Sequence, residues 1–175
     1  MVTITGSGGV GKTRTAIEVS QRRLREAGSP VSFVDLSSLR DGRLVVEGIA
    51  AALEISLLGT DEALAALVAA LSSRKLCLVL DNCEHVITDV THIVGALLRD
   101  CPSVSILTTS RELLGMTNEG VYRLPSLQIP GTRDRKYRRS TKISRVSAFH
   151  TTRALCRYAI GSRCRSDSGD NRYLP

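Results

Sequence analysis

The chain reads as a three-layer α/β domain, a parallel sheet flanked by helices with an anion-binding loop near its start. Three observations carry this. The stretch Gly6-Ser7-Gly8-Gly9-Val10-Gly11-Lys12-Thr13 meets every fixed position of the pattern G-x-x-x-x-G-K-[ST]. Short apolar runs alternate with segments of helical period up to Leu124, the rhythm of parallel strands joined by helical crossovers. One run, Leu76-Cys77-Leu78-Val79-Leu80, ends on Asp81, and ligand-binding residues of open α/β sheets gather at the carboxyl ends of strands.

The elements follow in order. Val2-Thr3-Ile4-Thr5 is a β-prone run, and Thr13 to Ala27 is rich in helix formers, so the glycine loop stands between a strand and a helix. Gly28-Ser29-Pro30 is a turn into Val31–Leu36, a second strand whose nearly unbroken apolar character predicts cover on both faces. Val46, Ile49, Ala50 and Leu53 recur at i, i+3, i+4 and i+7, as do Leu64, Leu67, Val68 and Leu71, predicting two core-facing helices. Thr60 or Asp61 is the expected N-cap of the second. Leu76–Asp81 is the third strand, Val90, Ile93, Val94 and Leu97 mark a fourth helix, and Val104–Thr109 is a fourth strand closing on Ser110-Arg111. Val121–Leu124 is a short fifth strand, followed by Pro125 and Pro130.

The loop carries the chemistry. Its glycines let successive backbone amides face one concavity, and the following helix adds the positive end of its dipole. Lys12 is the mobile charge for the outer phosphates, and the Thr13 hydroxyl is a magnesium ligand, with Asp81 as the second. Gly6 to Gly11, Lys12, Thr13 and Arg14 make up the expected nucleotide-binding set, for ATP or ADP with Mg²⁺. No N-K-x-D guanine-reading motif occurs, which favours adenine. Asp81 is followed by Asn82, which cannot act as a general base, so the nearest acid is Glu84. Two roles stand open for Glu84: orienting the attacking water, or serving as an acid at a helix N-terminus. Arg111, at the end of the fourth strand, is placed either to sense the γ-phosphate or to make a surface ion pair. His85 and His92 have no third ligand at useful spacing and are expected as capping or surface residues.

Composition limits the alternatives. The 175 residues suffice for one domain with a proper core. No apolar run approaches the roughly 18 residues of a membrane span, and the loop begins too early for a leader peptide, so a cytoplasmic protein without membrane contact is expected. The five cysteines are odd in number and form no C-x-x-C pair, against a zinc site or a disulfide framework, and Cys77 is expected in the core. Residues 1–132 hold 12 Lys/Arg against 14 Asp/Glu, whereas residues 133–175 hold 12 against 3, so the net charge of +7 resides in the tail.

Taken together, GSGGVGKTRTAIEV, FVDLSSL, LCLVLDNCEHV, LLRDCPSVSILTTSRELLG and VYRLPSLQIPG resemble the nucleotide-binding domain of bacterial STAND-class regulators. These are NB-ARC-like ATPases of large transcriptional activators of the SARP/AfsR and LuxR types. The resemblance covers residues 1 to about 131 and implies an ASCE-type sheet of order 5-1-4-3-2. It also implies Asp81 as the magnesium acid, Arg111 as the sensor arginine, Glu84 as the acid of the DNCEH box, and protein partners through a STAND-type assembly. Residues 132–175 resemble neither the lid nor the winged-helix subdomain of such proteins, so a fragment is expected. That basic segment has three readings: an out-of-frame translation starting near Gly131, a disordered extension, or an arm that touches nucleic acid. The expected function is binding of Mg·ATP or Mg·ADP with slow hydrolysis, as the switch core of a regulator. A non-hydrolysing nucleotide or protein-interaction module is the competing class.

Overall fold

The computed structural model describes residues 1–57 and 62–125. Five strands, β1 (Val2–Thr5), β2 (Val31–Asp35), β3 (Leu76–Asp81), β4 (Val104–Ser110) and β5 (Gly120–Arg123), form one sheet in the order β2-β3-β4-β1-β5. All four neighbouring pairs are parallel. The expected order 5-1-4-3-2 is therefore present, read from the opposite edge. The helices are α1 (Lys12–Ala27), α2 (Gly42–Ala52), α3 (Ala63–Leu71) and α4 (Ile87–Asp100), with a 3-10 turn at Cys83–His85.

The period of two along each strand divides the core into two layers. Leu76, Leu78 and Leu80 of β3 join Val45, Ile49, Leu67, Val90, Ile93 and Leu97 on the face covered by α2, α3 and α4. Cys77 and Val79, the alternate residues of the same strand, join Val2, Ile4 and Leu107 beneath Ala16 and Val19 of α1. All six residues of β3 are buried, as the sequence predicts for a parallel strand covered on both faces. Polar residues inside the strands are paired: Thr3 and Thr108 stand opposite each other in register, and Thr108 Oγ1 donates to Thr3 Oγ1 at 2.8 Å.

The second strand departs from expectation in its cover, not in its place, which the order 5-1-4-3-2 implies. β2 lies at the sheet edge, Phe33 and Asp35 are exposed, and only Val34 is buried. Its apolar run matches that of a central strand, but a neighbour on one side only leaves it half covered. The periodic stripes landed in helices as expected. Asp41 caps α2, its Oδ1 accepting the Leu44 N–H at 3.0 Å, a contact worth about 1 kcal/mol. Thr60, Asp61 and Pro130 lie outside the described residues, as does the basic segment. α3 is preceded by Glu62, whose side chain makes no capping bond. Among the described residues no helix is long and apolar enough to cross a membrane.

Candidate functional site

The parallel arrangement brings the carboxyl ends of β1, β3 and β4 to one edge of the sheet, where the glycine loop runs from β1 into α1. Gly9 and Gly11 take φ of 76° and 95°, which L side chains rarely adopt, and Gly11 is the residue from which α1 starts. The loop folds around its own lysine. Lys12 is buried, and its Nζ donates to the carbonyls of Gly6 at 2.9 Å and Ser7 at 3.1 Å. Those acceptors take two of its three N–H donors and hold the charge inside the loop.

Thr13 and Asp81 meet across 68 positions of sequence. Thr13 Oγ1 lies 3.0 Å from Asp81 Oδ1 and 2.8 Å from Oδ2. Asp81 is only 1% exposed, so its carboxylate depends on the donors around it. Besides Thr13, these are the Thr109 hydroxyl on Oδ1 and the Asn82 amide, 3.2 Å from Oδ2. A hydroxyl and a carboxylate in contact at the mouth of an anion-binding loop are hard oxygen donors, and this set fits a magnesium ion.

Gly8, Gly9, Gly11, Lys12, Thr13, Arg14, Ile17, Asn82, Glu84 and Arg111 line a cavity of 510 Å³ over the loop. Three cations against one acid on this wall suit an anionic ligand. Glu84 sits in the 3-10 turn, ahead of the first turn of α4, whose own acid is Asp89. Glu84 is thus the first-turn acid of the 3-10 turn and also lines the cavity, so neither role named from the sequence excludes the other. Arg111 Nε lies 3.0 Å from Glu84 Oε1, and Arg111 also reaches the loop: a Cβ built on Gly8 would stand 3.8 Å from its Nη2. Of the loop residues named from sequence, Gly6, Ser7 and Val10 do not line this cavity; Gly6 and Ser7 act through their carbonyls on Lys12.

Sequence reasoning missed three participants. Ser110 was read as the polar end of β4, yet it is Thr109, fully buried, that bonds Asp81. Asp35, at the end of β2, accepts the Asn82 amide at 3.1 Å, and the Ser37 N–H and that amide together hold its carboxyl below the usual range. Ile17 lines the cavity one helical turn beyond Thr13. A signal existed for each: a second polar residue closing an apolar strand, another strand ending in a carboxylate, and the i+4 spacing along α1. Cys83 is fully buried, and burial with the nearby charges of Asp81 and Glu84 pushes its thiol up to about 12. His85 Nε2 sits 2.8 Å from the Leu36 carbonyl and 2.7 Å from that of Leu39, clasping the loop after β2 rather than capping a helix. No cluster of three His, Cys, Asp or Glu suited to a metal occurs among the described residues.

The chain is similar to known proteins at two levels. It is 35% identical over 170 residues to the "Putative HTH-type transcriptional regulator Rv0890c" of Mycobacterium tuberculosis, across 97% of this chain and 19% of that protein. It is 31% identical over 169 residues to the "Uncharacterized protein Rv0894" of the same organism, across 97% of this chain and 42% of that protein. The chain thus spans about a fifth of the first relative and under half of the second. In fold, the chain resembles the crystal structure of CDC6P from Pyrobaculum aerophilum, with a TM-score of 0.56 and 19% identity over 70% of this chain and 38% of that one. Residues 1–125 match the family model described as an AAA domain, and the chain belongs to that family of P-loop NTPases.

Proposed function

We propose that this domain binds Mg·ATP and Mg·ADP and serves as the nucleotide-switch core of a transcriptional regulator of the STAND class, hydrolysing ATP slowly. The observation that carries this is the convergence of Lys12, Thr13, Asp81, Glu84 and Arg111, from three separate stretches of the chain, on one loop at the sheet edge. The loop amides and Lys12 hold the phosphates, Thr13 and Asp81 hold the magnesium, and Arg111 answers to the γ-phosphate. Bound magnesium supplies charge neutralisation at the phosphates. Glu84 orients water. Catalysis in this class rests on positioning and charge stabilisation rather than on covalent chemistry.

The regulatory context rests on the relatives' name, and protein partners through a STAND-type assembly belong to the same proposal, as does DNA contact by the basic segment. Competition of a fluorescent ATP analogue by unlabelled ATP, ADP and GTP tests the nucleotide reading. ATP and ADP should displace the analogue in the same concentration range, and GTP at least about tenfold less well. Equal displacement by GTP would refute the adenine preference, and no binding of the analogue would refute the site.

A second reading is a domain that binds nucleotide without turning it over. It is favoured by Asn82 in the position next to the magnesium acid and by the engagement of Glu84 with Arg111. Phosphate release from ATP that stays at the background of a Lys12→Ala control, in protein that binds ATP, would select this reading.

A further inference from the structure

Asn82 holds an unusual backbone at the end of β3. Its φ is 61°, a left-handed conformation that asparagine adopts more readily than most residues. The turn sends its side chain back over the strand ends, where Nδ2 donates to Asp81 Oδ2 at 3.2 Å and to Asp35 Oδ1 at 3.1 Å. The amide nitrogen carries two hydrogens, so both carboxylates are served at once. The Asn82 backbone N–H donates to Thr109 Oγ1 at 3.0 Å, and that hydroxyl passes its own hydrogen to Asp81 Oδ1. Asp35 and Asp81 are register partners on neighbouring strands. Like charges placed opposite each other in a sheet repel, and here a neutral amide between them bonds to both.

We infer that Asn82 is a positioning residue for Asp81, with Asp35 as its anchor and Thr109 as the second hold. This rests on the magnesium-nucleotide reading and deepens it. Asn82 fixes one carboxylate oxygen and, through Thr109, the other, so that the Asp81 carboxylate cannot rotate away from Thr13. On this account the asparagine next to the magnesium acid is a built part of the metal site rather than a lost catalytic acid. Asp35, exposed and on the edge strand, acts on the site through one hydrogen bond.

The test is the affinity for ADP, measured calorimetrically on the full chain with Mg²⁺ and again with EDTA. The proteins are the wild type, Asn82→Gly, Asp35→Ala and Asp35→Asn. Glycine keeps the left-handed backbone while removing the amide, and asparagine at 35 keeps an acceptor oxygen where alanine has none. The expected result is that Mg²⁺ strengthens ADP binding in the wild type. Asn82→Gly should lose about tenfold of that gain and Asp35→Ala about threefold, each with EDTA affinity within about twofold of wild type. Asp35→Asn should keep the gain. Should Asn82→Gly fail to fold, the Asp35 pair still decides. Variants that keep the full gain would overturn the positioning role and leave the nucleotide reading intact. Equal losses with and without Mg²⁺ would reduce Asn82 to a structural turn residue and also overturn it. A wild type without any Mg²⁺-dependent gain would overturn both readings together.

Discussion

Arg111 Nε lies 3.0 Å from Glu84 Oε1 across the mouth of the phosphate loop, while Glu84 Oε2 is buried with no hydrogen-bond partner among the described residues. The arginine side chain is 64% exposed, and ion pairs of that kind are worth about 0–1 kcal/mol. Under the proposed function, a γ-phosphate would draw Arg111 away and leave the acid to water.

Glu84→Gln removes the charge and keeps the shape. Phosphate release should fall at least about tenfold, within the range that general acid–base groups contribute, while ADP affinity stays within about twofold. Single-turnover kinetics beside calorimetry separates the two. Equal losses in both would make Glu84 a binding residue instead.

Gly11 tests the loop backbone. Its φ is 95°, and a Cβ there would meet nothing within 4 Å, so Gly11→Ala is penalised through backbone strain alone. The cost should be about 1–3 kcal/mol, seen as a melting temperature several degrees lower, with phosphate binding weakened as well. An unchanged melting temperature would mean that the loop relaxes freely.

Leu78→Ala should cost about 2–5 kcal/mol in urea unfolding, because Leu78 is fully buried on the interior strand β3. Leu24→Ala should cost about 0.5 kcal/mol or less, since Leu24 is 54% exposed. The contrast measures how firmly the two layers are packed.

Asp35 gives the pH prediction. Its carboxyl is lowered from 3.8, chiefly by the Ser37 N–H and then by the Asn82 amide. The folded state therefore binds the proton less readily than the unfolded state. The stability it contributes is fully present above about pH 4 and is lost as the pH falls through the lowered value. Urea unfolding of wild type and Asp35→Asn should differ most at pH 5 and converge toward pH 3. A difference that grows on acidification would contradict the bonding assigned to Asp35.

Much of this was legible from local pattern. The glycine loop is a local backbone requirement, so eight consecutive residues announce it. Leu76–Asp81 ends where its apolar run ends, because burial on both faces leaves no room for a polar residue before the carboxylate. The sheet order came from resemblance and not from the strands themselves, whose apolar character does not encode their neighbours. For the same reason the apolar run of β2 predicted cover on both faces, which the edge strand does not have. Thr109 was hidden behind Ser110 because only strand alternation in a formed sheet decides which of two adjacent polar residues faces Asp81. The link from Asp35 to Asn82 spans 47 positions and exists only once β2 and β3 are in register.

Titration calorimetry of ATP and ADP with Mg²⁺, on wild type and Lys12→Ala, tests the central claim most directly. Lys12 is held inside the loop by two carbonyls, in place to meet the phosphates. The account predicts micromolar binding of both nucleotides by the wild type and at least about a tenfold loss in the variant. Absence of binding by folded wild-type protein, or equal binding by Lys12→Ala, would contradict it.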